Sequence, residues 1–291
     1  MIIDIHAHTS NSKMWGLHTE VAHIKKIEEY ARQYGIAKVI LMATYFPFKG
    51  TGLFNQKLLE RIERNPLFGC FVSLDAMNNM LEGVKEVANL LSHPQVLGIK
   101  LYAGYQKFNI MNPELFPLFE IAGEKRIPVA IHTGELHHCC PKKVRAEKIK
   151  LKCGGKCKID ELQHFSHPDN FTEIAKKFPK VNFILSHLSN PYFQEIRNLM
   201  TICPNVYTDI SGQFVSGADE DSREYREFIQ CEIKKFLKIP DGINRIMFGT
   251  DFPIQSYKDS IEIIESLNFS QEEKESLYFR NAQKILNLQR N

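Results

Sequence analysis

The sequence predicts an α/β chain folded as a (β/α)8 TIM barrel. Three observations predict it. Eight short apolar runs recur along the chain, amphipathic helical text lies between most of them, and most successive runs are about 24 to 40 residues apart, room for one βα unit each. A doubly wound sheet is the main alternative, but it needs a glycine-rich phosphate turn after an early strand, and the sequence has none.

The strand candidates are 2–6, 37–43, 67–74, 96–101, 127–132, 181–186, 205–210 and 245–250. Most are continuous rather than alternating, as in Ala37-Lys38-Val39-Ile40-Leu41-Met42-Ala43. That character marks strands covered on both faces, as parallel sheets are. In the first helix, Val21, Ile24, Ile27, Ala31 and Tyr34 form one stripe with Lys25, Lys26, Glu28 and Glu29 off it. Gly35 follows at the position where a helix commonly ends in a left-handed residue. Segments 79–92, 113–125, 168–178 and 259–267 read the same way. One interval is long: 127 to 181 is about 54 residues, so an extra segment follows strand 5, the Cys- and Lys-rich stretch from about 135 to 164. No repeat or linker divides the chain, and residues 1–291 are expected to form a single domain.

A length of 291 residues and 43% hydrophobic content suit one large barrel. A net charge of +3 is weak for a nucleic-acid binder, and no apolar stretch is long enough for a membrane span, so neither partner is expected. The chain enters its first strand without a basic-plus-apolar leader, which points to the cytoplasm. Of seven cysteines, Cys70 lies in an apolar run as a small core residue, Cys203 and Cys231 are isolated, and Cys139, Cys140, Cys153 and Cys157 cluster. With no secretory signal, such a cluster leans toward metal or catalysis rather than disulfides.

The chemistry starts at Asp4-Ile5-His6-Ala7-His8. Alternation along a strand puts Asp4, His6 and His8 on one face, the two imidazoles at its C-terminal end. Neutral imidazole is the commonest protein ligand for zinc and its neighbours. An isolated H-x-H arises by chance; its company decides. Barrel enzymes carry their chemistry at the C-terminal strand ends. Here those ends supply Lys100 (strand 4), His132 (strand 5), His187 (strand 6) and Asp251 (strand 8). A lone strand-end histidine is ordinarily structural, but four histidines and an aspartate at one end of a barrel are hard to gather by chance.

At these motifs the sequence resembles the amidohydrolase superfamily, in particular the branch of amidohydrolase-2 proteins and aminocarboxymuconate-semialdehyde decarboxylase. The resemblance rests on Asp4–His8, Gly98-Ile99-Lys100-Leu101, His132, His187 following Phe178-Pro179-Lys180-Val181, Gly249-Thr250-Asp251-Phe252-Pro253 and Asn281-Ala282, and runs from residue 2 to 288. Each motif alone is weak; their order and spacing are specific. The resemblance implies one divalent metal, Zn2+ foremost with Mn2+ or Fe2+ as alternatives, on His6, His8, His132 and Asp251. It places His187 beside the metal-bound water as proton shuttle, and lets Asp251 orient that water as well as bind the metal. Lys100 has two readings, a carboxylated bridge between two metals or an unmodified lysine near the substrate; a single metal is favoured. Asp4 reads as a buried supporting residue. The implied activity is hydrolysis of an amide, lactone or ester. The alternative is non-oxidative decarboxylation, or hydration, of an aromatic or muconate-like acid in the same site. A binding protein with a relict site is disfavoured by the intact ligand set.

The insertion carries Lys142, Lys143, Arg145, Lys148, Lys150, Lys152, Lys156 and Lys158 against Glu147. Cys153 and Cys157 flank a Gly-Gly turn and could hold a second, structural Zn2+, with Cys140, or Cys139 together with His138, supplying the other ligands; reduced thiols on a solvated loop are the bland alternative. A basic lid would attract an anionic small molecule. Trp15, His18, Tyr45, Phe46, Tyr102, Tyr105, Gln213 and Phe214 fall near the mouth and suit a ring substrate. Asp209 and Ser211 on strand 7 can face the site, without an assigned catalytic role. His164 and His167 read as structural, with Ser166 or Asp169 capping the helix that follows. Barrels of this kind often pair, so a homodimer stays an open expectation.

Overall fold

The structure, a computed structural model, describes residues 1–10, 21–45, 53–137 and 159–288. Eight parallel strands follow one another round a single sheet: β1 (Ile2–Ala7), β2 (Ile36–Met42), β3 (Phe68–Ser73), β4 (Val96–Leu101), β5 (Val129–Ile131), β6 (Phe183–Leu185), β7 (Val206–Asp209) and β8 (Ile246–Met247). Hydrogen bonds from Ile5 N–H to Phe248 O (3.0 Å) and from Asp251 N–H to His6 O (2.7 Å), with a parallel bridge between Ala7 and Phe252, bring the last strand back to the first. All eight sequence-expected strands are present and parallel, which confirms the barrel over the doubly wound sheet.

The principal helices are α1 (Ile24–Tyr34), α2 (Asn55–Ile62), α3 (Met80–Leu90), α4 (Phe116–Lys125), α5 (Thr172–Lys177), α6 (Phe193–Ile202), α7 (Arg223–Lys235) and α8 (Tyr257–Glu265). Gly35 ends α1 at φ 67°, its N–H donating to Ala31 O, as the sequence predicts. The expected helices at 113–125 and 168–178 each open with a 3-10 turn, Pro113–Leu115 and Pro168–Phe171, before α4 and α5. In the second, the cap is His167, whose Nδ1 accepts from Asp169 N–H at 3.4 Å; neither Ser166 nor Asp169 does that work.

Strand alternation divides the core. Val39, Leu41, Cys70, Val72, Ile99, Leu101, Val129 and Ile131 point outward and pack under the helices. Ile3, Ile5, Ile40, Met42, Phe71, Ala130, Ile184, Tyr207 and Met247 fill the lumen, and Ala282, Ile285 and Leu286 of the terminal helix α9 (Asn281–Ile285) and its end plug the bottom. A dry plug below leaves the other end of the barrel for chemistry. Among the described residues no helix is long and apolar enough to cross a membrane. The proposed zinc ligands Cys139, Cys140, Cys153 and Cys157, the basic run 142–158, and Trp15, His18 and Phe46 lie outside the described residues.

Candidate metal centre

The site depends on a break in β1. Ile3 and Ile5 face the lumen, yet Ala7 belongs to the outer layer. Unbroken alternation cannot do both. The β1–β2 register slips between Asp4 and Ala7. The slip reverses parity, so apolar Ile3 and Ile5 fill the lumen while His6 and His8 turn into it one step higher. Asp4 therefore does not share the imidazoles' face, contrary to the simple period-two reading. It is fully buried toward β8, accepting from Thr250 Oγ1 (2.7 Å), Thr250 N–H (3.1 Å) and His6 N–H (3.1 Å). Burial raises its pKa to about 7 against those bonds. Asp4 thus locks the end of β1 to the residue preceding Asp251.

Above the slip, His6 Nε2 and His8 Nε2 lie 3.6 and 3.0 Å from the same oxygen, Asp251 Oδ1. The ligand atoms of His6, His8 and Asp251 all fall within 4.8 Å of one another. The other nitrogen of His6, Nδ1, lies 3.2 Å from Asp209 Oδ2. The His187 ring lies tilted against His6 at 4.7 Å and against His132 at 5.0 Å, measured between ring centres. Its peptide N–H donates to Asp209 Oδ1 at 3.0 Å, and its Nδ1 lies 2.9 Å from Ser211 Oγ. His132 is outside the 4.8 Å group but adjoins it through His187, and its Nε2 is buried with no hydrogen-bond partner.

The backbone is bent to achieve this. His187, Leu188, Ser189 and Asp251 all have positive φ, 66°, 51°, 52° and 55°, a conformation side-chain-bearing residues seldom adopt. Gly212 (φ 59°) passes so close that a Cβ there would meet Asp251 Oδ2 at 2.7 Å and His187 Nδ1 at 3.1 Å.

Electrostatics favour a cation. Burial lowers the His6 pKa to about 3, with the Lys100 charge adding to the effect, and pushes His132 well below its ordinary value; burial also lowers His187. These imidazoles are neutral near pH 7, with lone pairs to offer. Burial pushes Asp251 and Asp209 up, but the imidazole partners (His8 for Asp251, His6 for Asp209) outweigh it and hold both carboxyls far below the usual range. Lys100 is wholly buried; burial lowers its pKa to about 8, against the pull of Asp209 and Asp251. Its Nζ donates to Ser186 Oγ at 2.9 Å. Two carboxylates against one ammonium leave the pocket net negative. A divalent cation fits this donor set: neutral imidazoles, an ionised carboxylate, and an orphaned buried nitrogen whose desolvation would otherwise cost about 1–3 kcal/mol.

Other expected mouth residues are partly accounted for. The Tyr105 ring lies tilted against His132, 4.7 Å between ring centres. Tyr102 donates to Ala43 O (2.7 Å) and Tyr45 to Glu86 (3.3 Å), and Phe214 lies 4.8 Å beneath the Arg226 guanidinium. The residues whose role sequence reasoning left open are Asp209 and Ser211. Their signal was their place at the C-terminal end of β7, two and four residues beyond lumen-facing Tyr207.

Residues 3–288 match the family Amidohydro_2, described as amidohydrolase. The chain belongs to the amidohydrolase family. Members of this family are metal-dependent hydrolases or decarboxylases. An uncharacterized TIM-barrel protein from Bordetella bronchiseptica superimposes on this amidohydrolase with a TM-score of 0.72 at 16% identity, covering 98% of each chain. A protein described as a probable 2-pyrone-4,6-dicarboxylic acid hydrolase from Acinetobacter baumannii gives 0.67 at 13% identity over 99% of each chain. A 2,6-dihydroxybenzoate decarboxylase from Rhizobium gives 0.65 at 13% identity over 99% of this chain and 98% of its own. At such identities these likenesses show the shared fold. A curated relative, the uncharacterized protein y4mH of Sinorhizobium fredii, is 29% identical over 128 residues, which span 39% of this chain and 41% of that relative.

Proposed function

We propose that this amidohydrolase is a hydrolase working with a single divalent cation, Zn2+ foremost, on His6, His8, His132 and Asp251, against an amide, lactone or ester of a small, anionic substrate. One observation carries the reading: His6 Nε2 and His8 Nε2 converge on one oxygen of Asp251, beside the unpartnered Nε2 of His132. When bound, the cation supplies Lewis acidity, acidifying water and polarising a carbonyl.

The chain supplies the rest. Asp209, bonded to His6 Nδ1, orients that ring so that Nε2 faces the centre. His187, tethered at Nδ1 by Ser211 and kept neutral by burial, takes a proton at its other nitrogen and returns it to the leaving group. Asp251, held ionised, accepts a hydrogen bond with its second oxygen and so fixes the attacking water's direction. Lys100, engaged with Ser186, is read as unmodified, and its charge favours an anionic substrate. A second, structural Zn2+ on Cys139, Cys140, Cys153 and Cys157 is part of the proposal. So are one domain over residues 1–291 and a cytoplasmic location.

The test is elemental analysis of the purified protein followed by assays on the zinc-loaded enzyme, with a panel of lactones, esters, amides and hydroxybenzoic acids. The reading expects bound metal and hydrolysis, both lost in His6→Ala. Carbon dioxide release from the aromatic acids without hydrolysis would establish the decarboxylase instead. Protein that binds no divalent cation would overturn both. One zinc per chain rules out the cysteine site; two support it.

A further inference from the structure

The hydrogen bonds behind the metal site allow a full proton inventory. Asp209 receives four contacts. Its Oδ1 accepts from His187 N–H (3.0 Å), from Ser211 N–H (3.1 Å) and from the Ser211 hydroxyl, and its Oδ2 faces His6 Nδ1 at 3.2 Å. An ionised carboxylate only accepts, so His6 Nδ1 must carry a proton. Neutral His6 then has its lone pair on Nε2, the nitrogen facing Asp251.

Ser211 extends the count. A hydroxyl has one proton, and here it goes to Asp209 Oδ1. Toward His187 Nδ1, 2.9 Å away, and His6 Nδ1, 3.2 Å away, Ser211 Oγ can therefore only accept. The Ser211 carbonyl oxygen, 3.1 Å from His187 Nδ1, can also only accept. Both constraints put the proton on His187 Nδ1 and leave Nε2 bare. The group is wholly inside the protein, with His6, Asp209 and Ser211 each at or below 1% exposure, so water does not compete for these bonds.

We infer that Asp209 and Ser211 are positioning residues which set the tautomers of two histidines at once, His6 with Nε2 free to bind metal and His187 with Nε2 free to receive a proton. The inference rests on the roles given above to His6 and His187. The tautomers themselves can be read without any catalytic assay. Asp209 acts on His6 directly; Ser211 relays the same carboxylate to His187, so that an imidazolium formed there during turnover is backed by Asp209 through one hydroxyl. The arrangement works as an aspartate behind a catalytic histidine does, orienting the ring and supporting its charge.

The test is two-bond 1H–15N correlation on protein labelled with 15N-histidine and loaded with Zn2+, together with Zn2+ titration against a chelating dye. Wild-type protein should show His6 and His187 protonated at Nδ1. Asp209→Asn presents an amide N–H to His6 in place of an acceptor. It should drive that ring to the Nε2–H form and weaken Zn2+ binding about 10–100-fold. Ser211→Ala removes one of the two acceptors facing His187 Nδ1 and keeps the main-chain one, so the Nδ1–H form should persist with a larger Nε2–H share than in wild type. Because Asp209 still faces His6 Nδ1, Zn2+ binding should weaken less than in Asp209→Asn. A His187 protonated at Nε2 in the wild type overturns the inference, as does Asp209→Asn binding Zn2+ as tightly as wild type. If the variants do not fold, the wild-type spectrum alone decides. Failure of the hydrolase reading with both tautomers as stated would leave the proton assignment standing, so the two failures are distinguishable.

Discussion

Replacing Gly212 by alanine should disable the centre far more than it unfolds the protein. Two costs can be separated. At φ 59° a Cβ is disfavoured by about 1–2 kcal/mol wherever it occurs. The second cost is local: the new Cβ lies 2.7 Å from Asp251 Oδ2, and reaching ordinary contact at 3.4 Å needs a retreat of about 0.7 Å. Asp251 cannot retreat as a unit, because its N–H is held by His6 O at 2.7 Å and its backbone is already in the left-handed region. The carboxylate must rotate away from His6 and His8 instead. Displacements approaching 1 Å at a reacting centre cost on the order of 100-fold in rate. Gly35→Ala is the control, since Gly35 has φ 67° and nothing within 4 Å of its Cβ position. Both variants should lose about 2–8 °C in Tm by differential scanning calorimetry. Only Gly212→Ala should weaken Zn2+ binding, by roughly 10–100-fold in a competition titration. Equal Zn2+ affinity in the two variants would refute the claim that this glycine exists to clear space for Asp251.

Other outcomes follow from the same geometry. His132→Leu should remove tight Zn2+ binding while leaving the Tm of chelator-stripped protein unchanged or higher, since the imidazole it replaces buries an unpartnered nitrogen. His187→Ala should retain Zn2+ by elemental analysis and lose about 100- to 10,000-fold in kcat; loss of the metal instead would show that His187 is a ligand. Chelation should abolish turnover, and restoring free Zn2+ to 100 times its Kd should raise stability by about 2.7 kcal/mol, read as a rise in Tm. Away from the site, Arg197 Nη1 bonds Glu232 Oε2 at 2.7 Å with both side chains 6% exposed. Glu232→Ala leaves that buried guanidinium without its carboxylate, with Gln194 Oε1 still accepting from Nη2 at 3.1 Å, and should cost about 3 kcal/mol in urea unfolding. Burial raises the Glu232 pKa, but Lys235 and Arg197 more than offset it and the net shift is down. The pair's stabilisation is then complete above the ordinary glutamate range and fades as pH falls through the lowered value. Wild type and Glu232→Gln should accordingly converge in acid and differ most at neutral pH.

The barrel was legible because its signals are local. Each strand announces itself by an uninterrupted apolar run, and helix α1 by its stripe and its terminal glycine; neither needs knowledge of the rest of the chain. The functional residues His6, His8, His132, His187 and Asp251 were legible because parallel barrels send every strand's C-terminal end to one rim, so residues 245 positions apart can be assigned a common neighbourhood from order alone.

Contacts and proton positions belong to the tertiary structure. Period-two reasoning put Asp4 beside the imidazoles, and a register slip between neighbouring strands moved it to the other side of the sheet, where it ties β1 to Thr250. No pattern within residues 2–8 encodes that slip, because it is set by pairing with β2. Nor could strand 7 by itself reveal that the Asp209 carboxylate and one Ser211 hydroxyl meet both His6 and His187. Such roles are fixed by distances of about 3 Å between segments some 200 residues apart, and hydrogen bonds of that reach exist only once the barrel has closed.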